Sequence, residues 1–308
     1  MKTKPYVGRY GIFPLLFVFF LSSNLPLHGL IFFNHGNEDT EVITNPGNGV
    51  PWENAGAIYD ANGNLQGSSV YLGSRYVLTA DHVSVGSSST VSFDGNTHFS
   101  IDGSSPVQVS ANVDLKLFRL QNDPGFAGVS LASSNPANGT ALQLVGFGRG
   151  RGNTGLGEDI VDWGGSSTQG IKRTGTNNVF EIRNQSWSSG TYSQSTLVTQ
   201  LNNDTLNTEA AGTIWDSGGP VFALDSSEEW VLVGILAAVT RINGSTTSTF
   251  ANNPEPGESF AGDENWAVNI AAYEEAILAI IPEPSLFATI LGILFFGYVL
   301  RKRSLVKR

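Results

Sequence analysis

The apolar residues between Val50 and Ile281 come in short runs, and almost every gap between them is filled by Gly, Ser or Asn. Ala57-Ile58-Tyr59, Ser69 to Leu72, Tyr76 to Thr79, Thr90 to Phe93, Leu115 to Leu120, Ala141 to Phe147, Val221 to Leu224 and Trp230 to Val239 are such runs. Helices need a repeat near 3.6 sustained over several turns, whereas short β-branched and aromatic runs between turn residues suit strands. Only Trp266 to Ile280 carries apolar residues at helical spacing, and a helix is expected there. With Gly at 36 of 308 positions and 14% charged residues, the chain is predicted to be all-β. A hydrophobic share of 40% is enough to bury a core, which excludes a disordered chain. Asn62-Gly63, between the first two runs, is a strong hairpin signal. Asp60, Asn62 and Asn64 also suggest a calcium loop, but its sixth position is Leu65 and its twelfth Tyr71, so the turn is the better reading. Gly148 to Asn178 is dense in glycine and is expected to be an exposed loop.

The ends differ from this middle. Lys2, Lys4 and Arg9 precede the apolar run Gly11 to Leu21 and the polar Ser22-Ser23-Asn24, a pattern predicting a secretory signal peptide over 1–29, with Gly29 the best small residue for cleavage. Residues 30–49 are mostly polar after Leu30 to Phe33 and read as a lead-in, with the ordered domain beginning near Val50. At the other end Pro282-Glu283-Pro284 is followed by the apolar stretch Leu286 to Leu300 and by Arg301-Lys302-Arg303. As a helix those fifteen residues reach about 22 Å, short of a bilayer core of about 30 Å. Positive clusters at both ends would keep them cytoplasmic and put the domain outside. This succession of Pro-Glu-Pro, apolar stretch and basic end over 282–308 resembles the PEP-CTERM sorting signal of Gram-negative bacteria. That resemblance implies an exosortase-type processing partner, transient anchoring in the inner membrane through the C-terminal helix 286–300, and release to the cell surface or medium. An ordinary transmembrane anchor is the competing reading. Between the two ends, residues 30–281 carry nine basic and 26 acidic side chains, a balance near −17 that disfavours nucleic acid as a partner. The chain has no cysteine, so disulfides, a thiol nucleophile and cysteine-ligated metals are excluded. Besides His82, the middle holds only His35 and His98, and the scattered carboxylates make no metal-ligand spacing.

Three segments carry chemistry. Tyr76-Val77-Leu78-Thr79-Ala80-Asp81-His82-Val83 ends a strand on a histidine; Val113-Asp114-Leu115-Lys116-Leu117 opens one with an aspartate; Asp216-Ser217-Gly218-Gly219-Pro220-Val221 puts a serine in a glycine-rich turn before a strand. A serine hydroxyl is a poor nucleophile until a base removes its proton, and a neutral imidazole suits that work near pH 7. A buried carboxylate on the other ring nitrogen fixes the tautomer and stabilises the imidazolium. Each segment also has a bland reading: a structural histidine, an aspartate in a strand-entry turn, a serine in turn chemistry.

Together, in the order His, Asp, Ser, the segments resemble the chymotrypsin/trypsin-like serine peptidases, over roughly residues 50 to 280. The resemblance implies two six-stranded antiparallel barrels, about 50–125 and 140–265, with a C-terminal helix over 266–280, and Trp266 to Tyr273 also looks like the family's closing strand and C-terminal helix. It also implies His82, Asp114 and Ser217 as catalytic residues, a protein or peptide substrate, and no cofactor. Gly146 to Arg149 and Lys172 to Asn177 look like stretches found in tail-bearing bacterial members. Family positions counted back from the serine put the oxyanion-hole N–H groups at Trp215 and Ser217. The base of the primary pocket falls at Ala211, and the pocket wall at Ala237-Ala238-Val239. The family has glycine where Trp215 stands, alanine where Asp81 stands, and an Ile-Val-Gly-Gly start that is missing here, so Asp216 needs a partner other than a new N-terminus. Without a carboxylate at Ala211 and with Val239 in place of glycine, the implied pocket prefers small or medium apolar residues. Trp215 keeps a second function class open, a catalytically impaired trypsin-like fold acting as a cell-surface binding protein.

Overall fold

The short apolar runs form strands that are buried at most consecutive positions, and the computed structural model describes residues 30–32, 44–103, 106–150, 160–162, 169–201, 209–239, 248–251 and 264–281. The expected signal peptide, most of the lead-in and the sorting tail lie outside the described residues. Among the described residues no helix is long and apolar enough to cross a membrane.

After β1 (Ile31–Phe32), the first half of the chain forms β2 (Ala55–Tyr59), β3 (Leu65–Gly73), β4 (Tyr76–Thr79), β5 (Thr90–Ser92), β6 (His98–Ser100), β7 (Val107–Gln108) and β8 (Lys116–Arg119). They pair in the order β6-β5-β2-β3-β4-β8-β7, all antiparallel. An antiparallel bridge between Ile101 and Leu120 joins the ends of β6 and β8. Asp102 N donates to Arg119 O at 2.7 Å and Gln121 N to Ser100 O at 2.9 Å across the same seam. Six strands thus close into a barrel and β7 hangs outside on β8. The β2–β3 hairpin turns where Asn62-Gly63 predicts: Asp60 Oδ1 accepts from Asn62 N at 2.9 Å and Asn64 N at 2.8 Å, which makes that carboxylate part of the turn. Ile58, Val70, Leu78, Leu115 and Leu120 are fully buried inside, each side chain contributing about 1.5–3 kcal/mol by leaving water.

The second half adds β9 (Ser130–Leu131), β10 (Ala141–Gly146), β11 (Ile160–Asp162), β12 (Arg173–Asn178), β13 (Glu181–Trp187), β14 (Tyr192–Gln200), β15 (Ala210–Ala211), β16 (Pro220–Leu224), β17 (Trp230–Val239), β18 (Ser248–Ala251) and β19 (Glu264–Asn269). The sheet runs β12-β10-β16-β17-β19-β14-β13, with β9 added parallel to β17. Only Val179 and Phe180 separate β12 from β13, so one bent stretch pairs with β10 on one side of the ring and β14 on the other. This second ring therefore also has six strands, and the double-barrel, all-β architecture expected from the motifs is the one observed.

Three local expectations need correction. Trp266 to Asn269 is strand, not helix: β19 is hydrogen-bonded to β14 and to β17, and pairing on both edges overrides an apolar spacing that also fits a helix. A 3-10 turn, Ile270–Ala272, follows, and the helix α1 is confined to Glu274–Ile280, with Ile277 fully buried. The expected loop Gly148 to Asn178 ends in β12, whose Arg173 is fully buried; its polar residues hid a strand that β10 pairs along its whole length. Finally, order begins before Val50: Leu30 is fully buried in the second barrel's core with Leu142, Leu144 and Leu197, and Ile31 and Phe32 pair with Ala211 and Ala210.

Candidate active site

The antiparallel pairing of β4 with β8 sets Thr79 opposite Lys116, so the residues just after β4 and just before β8 emerge at one edge of the first barrel. His82 is in the first group and Asp114 in the second. A turn closed by Val83 N donating to Ala80 O, 3.1 Å, holds the histidine there. Its Nδ1 lies 2.7 Å from Asp114 Oδ2, and its backbone N–H donates to Asp114 Oδ1 at 2.9 Å. The carboxylate is fully buried, and the imidazole is 36% exposed. A buried charge is tolerated when hydrogen bonds replace its water. Asp114 gets a further one from Trp187, whose Nε1 donates to Oδ2 at 3.1 Å, while its own N–H donates to Gln194 Oε1 at 2.5 Å.

Ser217 comes from the second barrel and is docked against the first. Ser68 N donates to Ser217 O at 2.8 Å, and Gly218, at a φ of +89°, packs so tightly that a Cβ there would lie 2.0 Å from Ser68 O. Glycine is required at 218 on both counts. His82 and Ser217 line one cavity of about 560 Å³. The serine hydroxyl donates weakly to Ala237 O at 3.5 Å and not to the imidazole, a looseness common where substrate is absent.

Trp215 takes the left-handed conformation that glycine would adopt easily, with φ of +80°. For a bulky residue this costs on the order of 1–3 kcal/mol and needs the surroundings to hold it. Ser68 Oγ does part of this by donating to Trp215 O at 3.0 Å. In the same turn Asp216 N, Gly218 N and Gly219 N donate to Thr213 O, Leu236 O and Asp216 O. Among the described residues the N–H groups of Trp215 and Ser217 have no protein acceptor.

Asp216, fully enclosed, has partners within the fold. Gly148 N donates to Oδ1 at 2.7 Å; Thr213 N and Thr213 Oγ1 donate to Oδ2 at 2.7 and 3.0 Å. Burial pushes its carboxyl up, these bonds pull it back, and the charge of Arg173 pulls the same way. Arg173 is itself buried, which brings its guanidinium down to about 9, still charged at neutral pH, and the charge of Asp216 acts against that fall. Asp81, the other departure, accepts from Tyr192 OH at 3.0 Å and faces Lys116 Nζ at 3.6 Å.

Of the expected pocket residues, Ala237 and Val239 line the cavity, together with Gly212, Thr213 and Ile214. Ala211 does not; it is fully buried and paired with Ile31. A Cβ on Gly212 would meet Val239 Cγ1 at 3.6 Å, so the valine stands across from that glycine. Sequence reasoning missed Trp187, Tyr192 and Gln194, all on the β13–β14 hairpin. Its one usable signal was an aromatic at each side of Ser188-Ser189-Gly190-Thr191 in a polar stretch.

Residues 67–235 match the family model of the trypsin-like peptidase domain. The chain belongs to that family. No curated protein matches it in sequence. Among solved structures it is similar to the Rv3671c protease of M. tuberculosis H37Rv in an inactive form (14% identity, 75% of this chain and 90% of that one, TM-score 0.47). It is likewise similar to the MamO protease domain of Magnetospirillum magneticum (15%, 77% and 99%, 0.47). The HtrA-type protease AlgW with a decapeptide is a third (17%, 70% and 52%, 0.46).

Proposed function

We propose that this member of the trypsin-like peptidase family is an exported serine endopeptidase that cleaves peptide bonds through His82, Asp114 and Ser217. The observation that carries the reading is the 2.7 Å contact between His82 Nδ1 and a fully buried Asp114, beside a cavity that also holds Ser217. A rotation about χ1 brings Ser217 Oγ from Ala237 O toward the imidazole. Oγ then attacks the scissile carbonyl carbon as its proton passes to His82 Nε2. Asp114 holds the proton on Nδ1 and stabilises the imidazolium. The carbonyl oxygen, now negative, accepts from the free N–H groups of Trp215 and Ser217. Collapse breaks the C–N bond, the amine leaves with the proton from Nε2, and water repeats the sequence on the acyl-enzyme to restore Ser217. Gly212, Thr213, Ala237 and Val239 make an uncharged pocket suited to a small or medium apolar residue before the scissile bond.

A fluorophosphonate probe, which acylation-competent serines attack, is expected to label the purified protein and not the Ser217→Ala variant. If the folded wild-type chain neither labels nor hydrolyses any peptide or ester near pH 8, the cell-surface binding reading replaces this one.

The domain division we propose is a signal peptide over 1–29, a lead-in over 30–49 of which Leu30 to Phe32 joins the fold, a peptidase domain over 50–281, and a sorting tail over 282–308. The order of Pro282-Glu283-Pro284, apolar stretch and basic end supports recognition by an exosortase-type enzyme after a transient stay in the inner membrane. Mass spectrometry of protein from its native envelope is expected to find a C-terminus near that motif. A mature chain still ending at Arg308 leaves the simple anchor.

A further inference from the structure

We infer that Trp187 is a positioning residue for the reaction proposed above, coupling the wall of the substrate cavity to the orientation of Asp114. Asp114 Oδ2 takes two donors, His82 Nδ1 at 2.7 Å and Trp187 Nε1 at 3.1 Å, and no cation donates to this carboxylate among the described residues. Its charge is held by N–H groups alone, and the indole is the one that reaches it from the other barrel. An indole N–H can only donate and cannot rotate independently of its ring. It therefore aims at Oδ2 whatever the protonation state of the imidazole, as a hydroxyl in its place need not.

The ring is itself fixed. Tyr192 and Trp266 lie 6.1 and 5.9 Å from it, centroid to centroid, and Tyr192 is tied by its hydroxyl to Asp81, the neighbour of His82. Ser188, Ser189 and Gly190 follow with three left-handed φ values of 52°, 56° and 87°, a costly turn that persists only where surrounding contacts hold it. Trp187 and Ser188 also line the cavity that holds Ser217. A substrate packed on this ring thus presses on the group that orients the triad carboxylate.

Trp187→Phe keeps an aromatic wall and removes the N–H. Its kcat on an ester substrate is expected to fall about ten- to a hundredfold, the effect of one hydrogen bond to a charged group, while KM stays within about twofold. Replacing the indole by benzothiophene, of the same shape without the N–H, should give the same split and guards against misfolding of the phenylalanine variant. Trp187→Ala, which also removes the wall, should lower kcat equally and raise KM. Wild-type kcat in both N–H-deleted proteins, with wild-type labelling intact, overturns this inference alone. Failure of the wild type to label or turn over overturns it together with the proposed function.

Discussion

Asp114→Asn is expected to lower turnover by about 10,000-fold with the fold intact. Oδ1 and Oδ2 of Asp114 both accept from N–H donors: His82 N on one, His82 Nδ1 and Trp187 Nε1 on the other. An asparagine has one acceptor atom for two places and must turn its NH₂ toward a donor. The arrangement that spares His82 N sets that NH₂ against Nδ1 and the indole, and the imidazole escapes by moving its proton to Nε2. A histidine protonated there cannot take the proton of Ser217. Steady-state ester hydrolysis of the variant, beside its thermal melt, is the measurement. A loss of less than tenfold in a folded protein would show that the His82–Asp114 pair is structural.

Asp216→Ala is the substitution expected to cost the most stability, about 3–5 kcal/mol, the usual effect of removing one partner of a buried charged network. Gly148 N and Thr213 N would lose their acceptor inside the protein, Thr213 Oγ1 would keep only Arg149 O, and the buried Arg173 would lose one nearby opposite charge. The turn that holds Trp215 left-handed hangs on this carboxylate, so labelling of Ser217 should disappear as well. Denaturant midpoints decide the first point and probe labelling the second. Asp216→Asn, which keeps the shape and one acceptor, should lie between. A midpoint unchanged in both variants would remove Asp216 from the support of the site.

Much of the candidate site's local structure was legible because it is written in contiguous residues. Asp216-Ser217-Gly218-Gly219-Pro220 carries its turn in its own sequence, and Gly218 is needed there for reasons of φ and space that any fold bringing a strand so close would impose. The strands Tyr76–Thr79 and Trp230–Val239 have the bounds the sequence predicts, since continuous apolar runs between turn residues leave a buried strand little freedom. Polar strands offered no such pattern. Glu181–Trp187 and Tyr192–Gln200 are rich in Asn, Gln, Ser and Thr, and they are strands because β19 waits at their open edge; the donors they bring to Asp114 were invisible with them.

What the sequence by itself determined was the all-β character, the hairpin at Asn62-Gly63 and the order of the histidine, aspartate and serine segments, all properties of neighbours along the chain. Tertiary structure alone decided where the closing strand, Glu264–Asn269, gives way to the helix, that Leu30 belongs to the core, that Trp215 adopts a glycine's conformation, and that Asp216 is met by Gly148, Thr213 and the charge of Arg173. In each of those cases partners tens or hundreds of residues away take part, even where a near neighbour such as Thr213 contributes too. Strand pairing, the exclusion of water from a buried carboxylate and the close docking of two barrels have no signature in any single window of sequence.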